Sequence, residues 1–240
     1  MKLIRPDWPV AGRLQAFTTT RSGGVSDGPW ATLNLGMNSG DEAAYVRQNR
    51  HRLSAGMPRE PAWLNQVHGT DIVHLDDWHD GIAADGAWTD HPGQVAVVLT
   101  ADCLPVLLAD QAGCFVAAVH AGWRGLAAGI LERAVEKLPV AGNALHAWIG
   151  PAICGNCYQV GDDVRDAMLA DDPAAADAFR PDGDRWRVDL KSIASATLSR
   201  RGVRVHDAGR CTCCESDTFY SYRRDGTTGR MASVIWMESR

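Results

Sequence analysis

The chain of 240 residues contains no apolar run of about 18 residues, so nothing in it reads as a membrane-spanning helix. Its opening, Met1-Lys2-Leu3-Ile4-Arg5-Pro6, lacks the apolar stretch of a secretory signal. No long Ser/Pro/Gly linker, low-complexity tract or repeat interrupts it, which predicts a single domain over 1–240. Positive charge is not in surplus either. The 24 Lys and Arg stand against 29 Asp and Glu, scattered along the chain, and the net −5 argues against a nucleic-acid partner. Seven cysteines are an odd number in a chain too large to need a disulfide scaffold, and they fit a reducing cytoplasm. What remains is an ordinary globular composition, 45% hydrophobic and 22% charged, expected to act as a monomer or weak dimer.

Against this background three short segments concentrate soft metal ligands. They are Asn65-Gln66-Val67-His68-Gly69, Thr100-Ala101-Asp102-Cys103-Leu104-Pro105 and Val119-His120-Ala121-Gly122-Trp123-Arg124-Gly125. Two imidazoles and one thiolate give a divalent ion three protein ligands and leave a position open, the coordination of a catalytic zinc. Gln94 to Thr100 and Cys114 to Val119 are apolar, β-branched runs of the kind buried on both faces. Two ligands are therefore expected at the carboxyl ends of neighbouring central strands. Taken singly, each Cys or His reads as a small buried residue or an ordinary hydrogen-bonded ring; taken together, with Gly-rich turns, they read as a metal site.

The rest of the chain alternates strand and helix patterns. Ala16 to Thr20, Trp63 to Val67, Ile72 to Leu75, Ala147 to Gly150 and Met231 to Trp236 read as extended. Asp41 is the expected cap of a helix through Ala55, with Gly56 as a left-handed stop. Leu126 to Leu138 is the clearest amphipathic helix, with Leu126, Ile130, Leu131, Ala134, Val135 and Leu138 on one face. Asp162 or Asp163 begins a short helix, and Asp189 caps another ending at Gly202. Ala170 to Ala178 and the Pro-Asp-Gly-Asp turn after it read as a surface excursion. Helices are too few for a doubly wound fold, which predicts a mixed-sheet α/β protein with functional loops on one edge.

Arginines in turns are suited to bidentate recognition of phosphate or carboxylate. Arg124 follows a Gly turn at the start of a helix, where the helix dipole also favours an anion. Arg21 lies in Thr-Arg-Ser-Gly-Gly, and Arg223 and Arg224 lie in Ser-Tyr-Arg-Arg-Asp-Gly; Arg230 reads as part of a solvated hairpin turn. Cys154-Gly-Asn-Cys157 is one C-x-x-C, and Cys211-Thr-Cys213-Cys214 follows far downstream. No complete zinc-finger spacing emerges, so a structural zinc and a redox disulfide rank behind free thiols near the site edge.

These motifs resemble the laccase-domain, YfiH-like family along nearly the whole chain. The likeness runs through Thr19-Thr20-Arg21-Ser22-Gly23-Gly24, Leu33-Asn34-Leu35-Gly36, Gln66-Val67-His68-Gly69, Ala84-Asp85-Gly86, the Cys103 and His120 segments, Ile149-Gly150-Pro151 and Phe219 to Asp225. The resemblance implies an α/β/β/α layered sandwich of mixed sheets (α/β, or α+β, class) and a zinc triad at His68, Cys103 and His120, with copper able to take the same site. It also implies phosphorolysis of adenosine, inosine, guanosine and methylthioadenosine, with phosphate as the second substrate, and hydrolytic deamination of adenosine. Within that chemistry Asp102 and Arg124 are the expected catalytic residues. Asn34 and Gln66, with Arg21, Arg223 and Arg224, are the expected substrate contacts. For Asp102 a place behind the metal, orienting His68 or His120, ranks ahead of a proton-transfer role. The Cys213-Cys214 pair departs from the common family pattern.

Three other functions fit parts of the sequence. A cysteine-type amide hydrolase, with Cys103 as nucleophile and His120 as base, would suit the peptidoglycan precursor editing linked to some family members. A copper-dependent polyphenol oxidase fits the laccase label, although only two of eight histidines stand in the motifs. A non-enzymatic metal-binding interaction protein would leave the open coordination position and the arginines unused.

Overall fold

Strands that are apolar on both faces must be covered on both sides, and this chain meets the requirement with two stacked sheets between helical layers. The computed structural model describes residues 1–10 and 13–239. Its strands are β1 (Leu3–Ile4), β2 (Leu14–Thr19), β3 (Ile72–His74), β4 (Gly86–Thr89), β5 (Val95–Thr100), β6 (Leu104–Asp110) and β7 (Val116–Ala121). They continue with β8 (Leu145–Ile149), β9 (Gln159–Val160), β10 (Phe179–Asp182), β11 (Arg185–Val188), β12 (Arg204–Asp207) and β13 (Met231–Met237). The α-helices are α1 (Ala43–Ser54), α2 (Trp123–Ala127), α3 (Ile130–Lys137), α4 (Asp162–Asp171), α5 (Leu190–Arg200) and α6 (Tyr222–Asp225).

One sheet is antiparallel throughout, in the order β1-β2-β13-β5. The larger one runs β12-β8-β6-β7-β4-β3, parallel at its two edges and antiparallel between them. A small antiparallel sheet, β10-β11-β9, holds the turn after the expected excursion, with Gly183 left-handed (φ 67) at its hairpin. Ala170 to Ala178, by contrast, complete α4 and form a 3₁₀ helix that buries Ala175. Alternation sorts the side chains into three apolar layers. In β13, Ala232, Val234 and Trp236 face Leu53 of α1, while Ile235 and Met237 face the larger sheet. In β6, Leu107 and Ala109 complete that inter-sheet layer, and Leu104, Val106 and Leu108 pack under α3, α4 and α5. The α/β/β/α sandwich is the expected one. Among the described residues no helix is long and apolar enough to cross a membrane.

Four local expectations are corrected. The runs ending at Thr100 and Val119 are not neighbours in one sheet: β5 lies in the antiparallel sheet and β7 in the larger one. The chain crosses between layers at 101–103, so Cys103 stands just before β6, which pairs antiparallel with β7 through Leu104↔Ala121 and Pro105↔His120. Trp63 to Val67 is not a strand but a segment with isolated bridges at Ala62 and Asn65. Its pairing to β5 is taken over by the Gln66 side chain, whose Nε2 donates to Leu99 O (2.9 Å) and whose Oε1 accepts Leu99 N–H (2.7 Å). The helix read as continuous from Leu126 is broken by Gly129, left-handed at φ 81. The apolar face carries on across the break because α2 and α3 bury it in the same layer. Finally, α1 starts after Asp41 without a side-chain cap, and Gly56 is not left-handed. The Asp41 carboxylate instead accepts from Ser26 Oγ (2.6 Å) and Asn34 Nδ2 (2.9 Å). Asp189 does cap α5, accepting from the N–H groups of Lys191 and Ser192.

Candidate metal centre and substrate cleft

The three soft ligands meet where the end of β7 lies beside the start of β6. His120 is the penultimate residue of β7, buried with 3% of its surface exposed. Cys103 is half-buried before β6, and His68 reaches in from an exposed turn. One ligand atom from each lies within 4.8 Å of the others, and the two imidazole rings cross at 77° with centroids 4.8 Å apart. A Cβ built on Gly122 would sit 3.0 Å from His68 Cδ2 and 3.2 Å from Cys103 Sγ, so the glycine leaves room for the set.

The organiser is Asp85, wholly buried at the start of β4. Its Oδ1 accepts His120 Nδ1–H (2.8 Å) and the His68 amide (3.0 Å), and its Oδ2 accepts the Gly69 (2.6 Å) and Val67 (3.2 Å) amides. Those amides hold His68 at φ 60, a left-handed conformation that few non-glycine residues adopt. With Nδ1 committed, His120 presents Nε2 to Cys103, the arrangement that fixes the tautomer of a metal-bound histidine. Burial alone would push the Cys103 thiol up, but the His120 and His68 rings outweigh it and bring the group down to about 6. Burial likewise opposes charge on His120, yet the Cys103 thiolate and Asp85 lift it to about 9. Asp85, penalised by burial, is held below the usual carboxylate range by His120 and the Gly69 amide. The donor set suits a thiophilic divalent ion with a position left open.

Asp102, beside Cys103 at φ 95, faces the other way. Its carboxylate accepts Thr212 Oγ1 (2.6 Å), Ser221 Oγ (3.0 Å) and the Arg223 amide (2.6 Å). The expected orienting of His68 or His120 by Asp102 is therefore corrected: Asp85 holds the ring, and Asp102 ties Cys103 to two loops. Asp85 stood in a recognised motif, but only packing puts its carboxylate under both histidines.

The metal set opens into a cleft of about 660 Å³, lined by Gly36 to Ser39, Arg50, Trp63, Gln66, Leu99, Tyr222 and Arg230 among others. Arg50, on α1, donates Nε–H to Leu35 O (2.9 Å) and stacks 3.9 Å from the Trp63 ring centre. Burial pulls its pKa down to about 10, which leaves it charged at neutral pH. Arg230 is not in a solvated turn. It lines the cleft and spends one nitrogen on the Thr228 and Gly229 carbonyls, and burial lowers its pKa. Neither forms a carboxylate ion pair among the described residues. Arg50 gave no signal in sequence, lying mid-helix without a turn motif.

The other expected contacts sit outside that wall, Gln66 excepted. Asn34 is wholly buried and braces the loop that lines it, donating to Ser39 Oγ (2.7 Å) and accepting the Arg230 amide (2.9 Å). Arg21 donates to Ala31 O (3.0 Å) and Ser216 O (2.9 Å) and stacks on Tyr220. Arg224 clamps the Thr212, Cys213 and Phe219 carbonyls and pairs with Asp225. Arg223 stacks over Tyr158 at 4.8 Å, and Arg124, exposed on the short α2, stacks over Trp123 at 4.4 Å.

Comparison with known proteins sets this geometry in a family. The family model described as "Multi-copper polyphenol oxidoreductase laccase" matches residues 15–238. The purine nucleoside phosphorylase PA4543 of Pseudomonas aeruginosa is 45% identical, with 98% of each chain covered. The purine nucleoside phosphorylase YfiH of Escherichia coli K12 is 46% identical, covering 98% of this chain and 99% of its own. Among solved structures, the Neisseria meningitidis protein NMB0706 superposes with a TM-score of 0.95 at 43% identity over 100% of both chains. YlmD from Geobacillus stearothermophilus gives 0.93 at 33% identity, covering 100% of this chain and 97% of its own.

Proposed function

The chain belongs to the multi-copper polyphenol oxidoreductase laccase family, and from that premise we propose that it is a purine nucleoside enzyme. It phosphorolyses adenosine, inosine, guanosine and methylthioadenosine, and it deaminates adenosine with water, working as one domain in the cytoplasm. The observation that carries the reading is the joining, in one cleft of about 660 Å³, of an open His₂Cys set and two arginines that form no salt bridge among the described residues. Zinc held by His68, Cys103 and His120 would supply a Lewis acid and lower the pKa of a water molecule. Asp85 keeps His120 in the ligating tautomer, and Asp102 holds Cys103 in register. Trp63 and Tyr222 offer flat faces to a purine. Arg50 and Arg230 take the phosphate, a role that the sequence had assigned to Arg21, Arg124 and Arg223.

A specific observation favours a second reading. Asp85, His120 and Cys103 follow one another as carboxylate, imidazole and thiol, with the thiol pKa lowered, as a cysteine nucleophile requires. An amide hydrolase of that kind would form a covalent adduct in metal-free protein. Copper suits the same donors, since N/S sites generally bind it more tightly than zinc.

The deciding experiment incubates metal-quantified protein with adenosine, with and without phosphate, and measures adenine, ribose 1-phosphate and inosine. Adenine with ribose 1-phosphate only when phosphate is present, and inosine in both cases, is the expected result. No product from adenosine, together with a thiol adduct on a peptide amide substrate, would replace the first reading by the second.

A further inference from the structure

Four of the six cysteines outside the cleft are brought together by the sheet. Cys154 and Cys157 lie in the loop after β8, and Cys211 and Cys214 in the loop after β12. Because β12 runs parallel to β8, both loops leave the same edge in the same direction. They stay side by side through a bridge between Ala152 and Cys211, in which Thr212 N–H donates to Ala152 O (3.2 Å). Each loop supplies a C-x-x-C; in the second, Cys213 interrupts the pattern and hides its spacing.

One sulfur from each residue lies within 4.8 Å of the others, and Cys157 Sγ is 3.4 Å from Cys214 Sγ. Sulfurs at the corners of a tetrahedron, bonded to a central ion at about 2.3 Å, stand about 3.8 Å apart. The cluster, with every sulfur within 4.8 Å of the others, is close to that size. Cys211 Sγ also accepts the amides of Cys154 (3.3 Å) and Cys214 (3.5 Å). Such donors favour the thiolate and orient its remaining lone pairs. None of the four lines the cleft.

We propose that Cys154, Cys157, Cys211 and Cys214 form a second metal centre, a mononuclear structural zinc site closed by four thiolates. Its place explains what it does. Thr212, between two of the ligands, donates to the Asp102 carboxylate, and Ile153, beside a third, donates its amide to Asp102 O (3.0 Å). Tyr158, after the fourth, carries the Arg223 guanidinium. The ion would pin together the two loops that hold Asp102, and through it the start of β6 at Cys103.

The test is metal content and coordination of the full chain, purified under reducing conditions. Wild type is expected to hold two zinc ions per chain. The His68→Ala/His120→Ala variant is expected to keep one, with an X-ray absorption shell of sulfur alone at about 2.3 Å. Cys157→Ser/Cys214→Ser should lose one ion of the two and keep the mixed nitrogen/sulfur shell. Should that variant fail to fold, the histidine variant still decides, because it leaves the four cysteines untouched. A histidine variant without zinc would overturn the proposal. So would a Cys157–Cys214 disulfide found by mass spectrometry in freshly isolated wild type.

Discussion

The Asp85 carboxylate accepts His120 Nδ1–H at 2.8 Å and the Gly69 amide at 2.6 Å, so one buried acid fixes a ring in β7 and the turn that carries His68. Two candidate ligands from distant parts of the chain thereby share one orienting group. Asp85→Asn keeps the size but sets an amide NH₂ against groups that all donate. Loss of an outer partner of this kind typically costs 10–100-fold in metal affinity, and about 10–100-fold is the expected loss here. Competition with a chromogenic chelator measures it. An unchanged affinity would show that His120 holds its orientation without the acid.

Gly122 makes a more local prediction. Its backbone, at φ −72 and ψ 168, suits alanine, so Gly122→Ala should fold. The new Cβ would stand 3.0 Å from His68 Cδ2 and 3.2 Å from Cys103 Sγ, closer than packing normally tolerates. The ligands must then move apart, and metal affinity is expected to fall about tenfold or more, about 1.4 kcal/mol. Gly56→Ala, which meets nothing within 4 Å, is the control and should change stability by less than about 0.5 kcal/mol. Equal affinity in Gly122→Ala and wild type would remove the close-packing account.

The convergence of His68, Cys103 and His120 was legible because each stands in a turn-rich motif beside an apolar run. The layer to which each run belongs was not. β5 and β7 are equally apolar on both faces, and nothing in either says that the chain changes sheets at Asp102. The break at Gly129 was hidden for a related reason, since the apolar face of α2 continues into α3. Arg50 and Arg230 were not singled out because each stacks on an aromatic of its own segment, Trp63 and Tyr222, and only packing brings those two segments, far apart in sequence, to one cleft. Arg21 and Arg224 sat in more suggestive turns, yet their guanidinium groups bind backbone carbonyls.

A pH dependence of stability follows from a pair remote from the cleft. His146, on β8, is 1% exposed and stacks on His206 of β12, with its Nδ1 3.1 Å from His206 Nε2. Its Nε2 lies 3.2 Å from Arg204 Nη1, which has only hydrogens to offer, so the imidazole accepts there and must be neutral. Burial, with the charges of His206 and Arg204, lowers its pKa below 6.5. The unfolded chain therefore takes up a proton at higher pH than the folded one. Stability is full above about pH 6.5 and is lost as pH falls from there through the lowered folded value. Melting temperature against pH is the measurement, and His146→Gln should flatten the decline over that window. A decline of equal steepness in the variant would assign it to other groups.

The arginines provide the last prediction, because the two reactions of the proposed function differ in their need for an anion. Phosphorolysis uses phosphate as the nucleophile, whereas deamination uses water. Arg50 and Arg230 line the cleft and form no salt bridge among the described residues, so Arg50→Ala and Arg230→Ala should each cut phosphorolysis about 10-fold or more while deamination falls less. The ratio of adenine to inosine formed from adenosine at saturating phosphate reads the difference directly. Arg21→Ala should leave that ratio near the wild-type value. Its loss should appear as a lower melting temperature, since the carbonyls of Ala31 and Ser216 lose their donor at a typical cost of about 1–3 kcal/mol. Arg124→Ala, which removes an exposed stack on Trp123, should move neither quantity much. A ratio that falls in Arg124→Ala or Arg223→Ala and stays constant in the two cleft variants would return the anion to the residues first picked out by their turns. Chelated protein completes the comparison: deamination should vanish with the metal, and inosine formation that survived its removal would exclude the proposed zinc from that reaction.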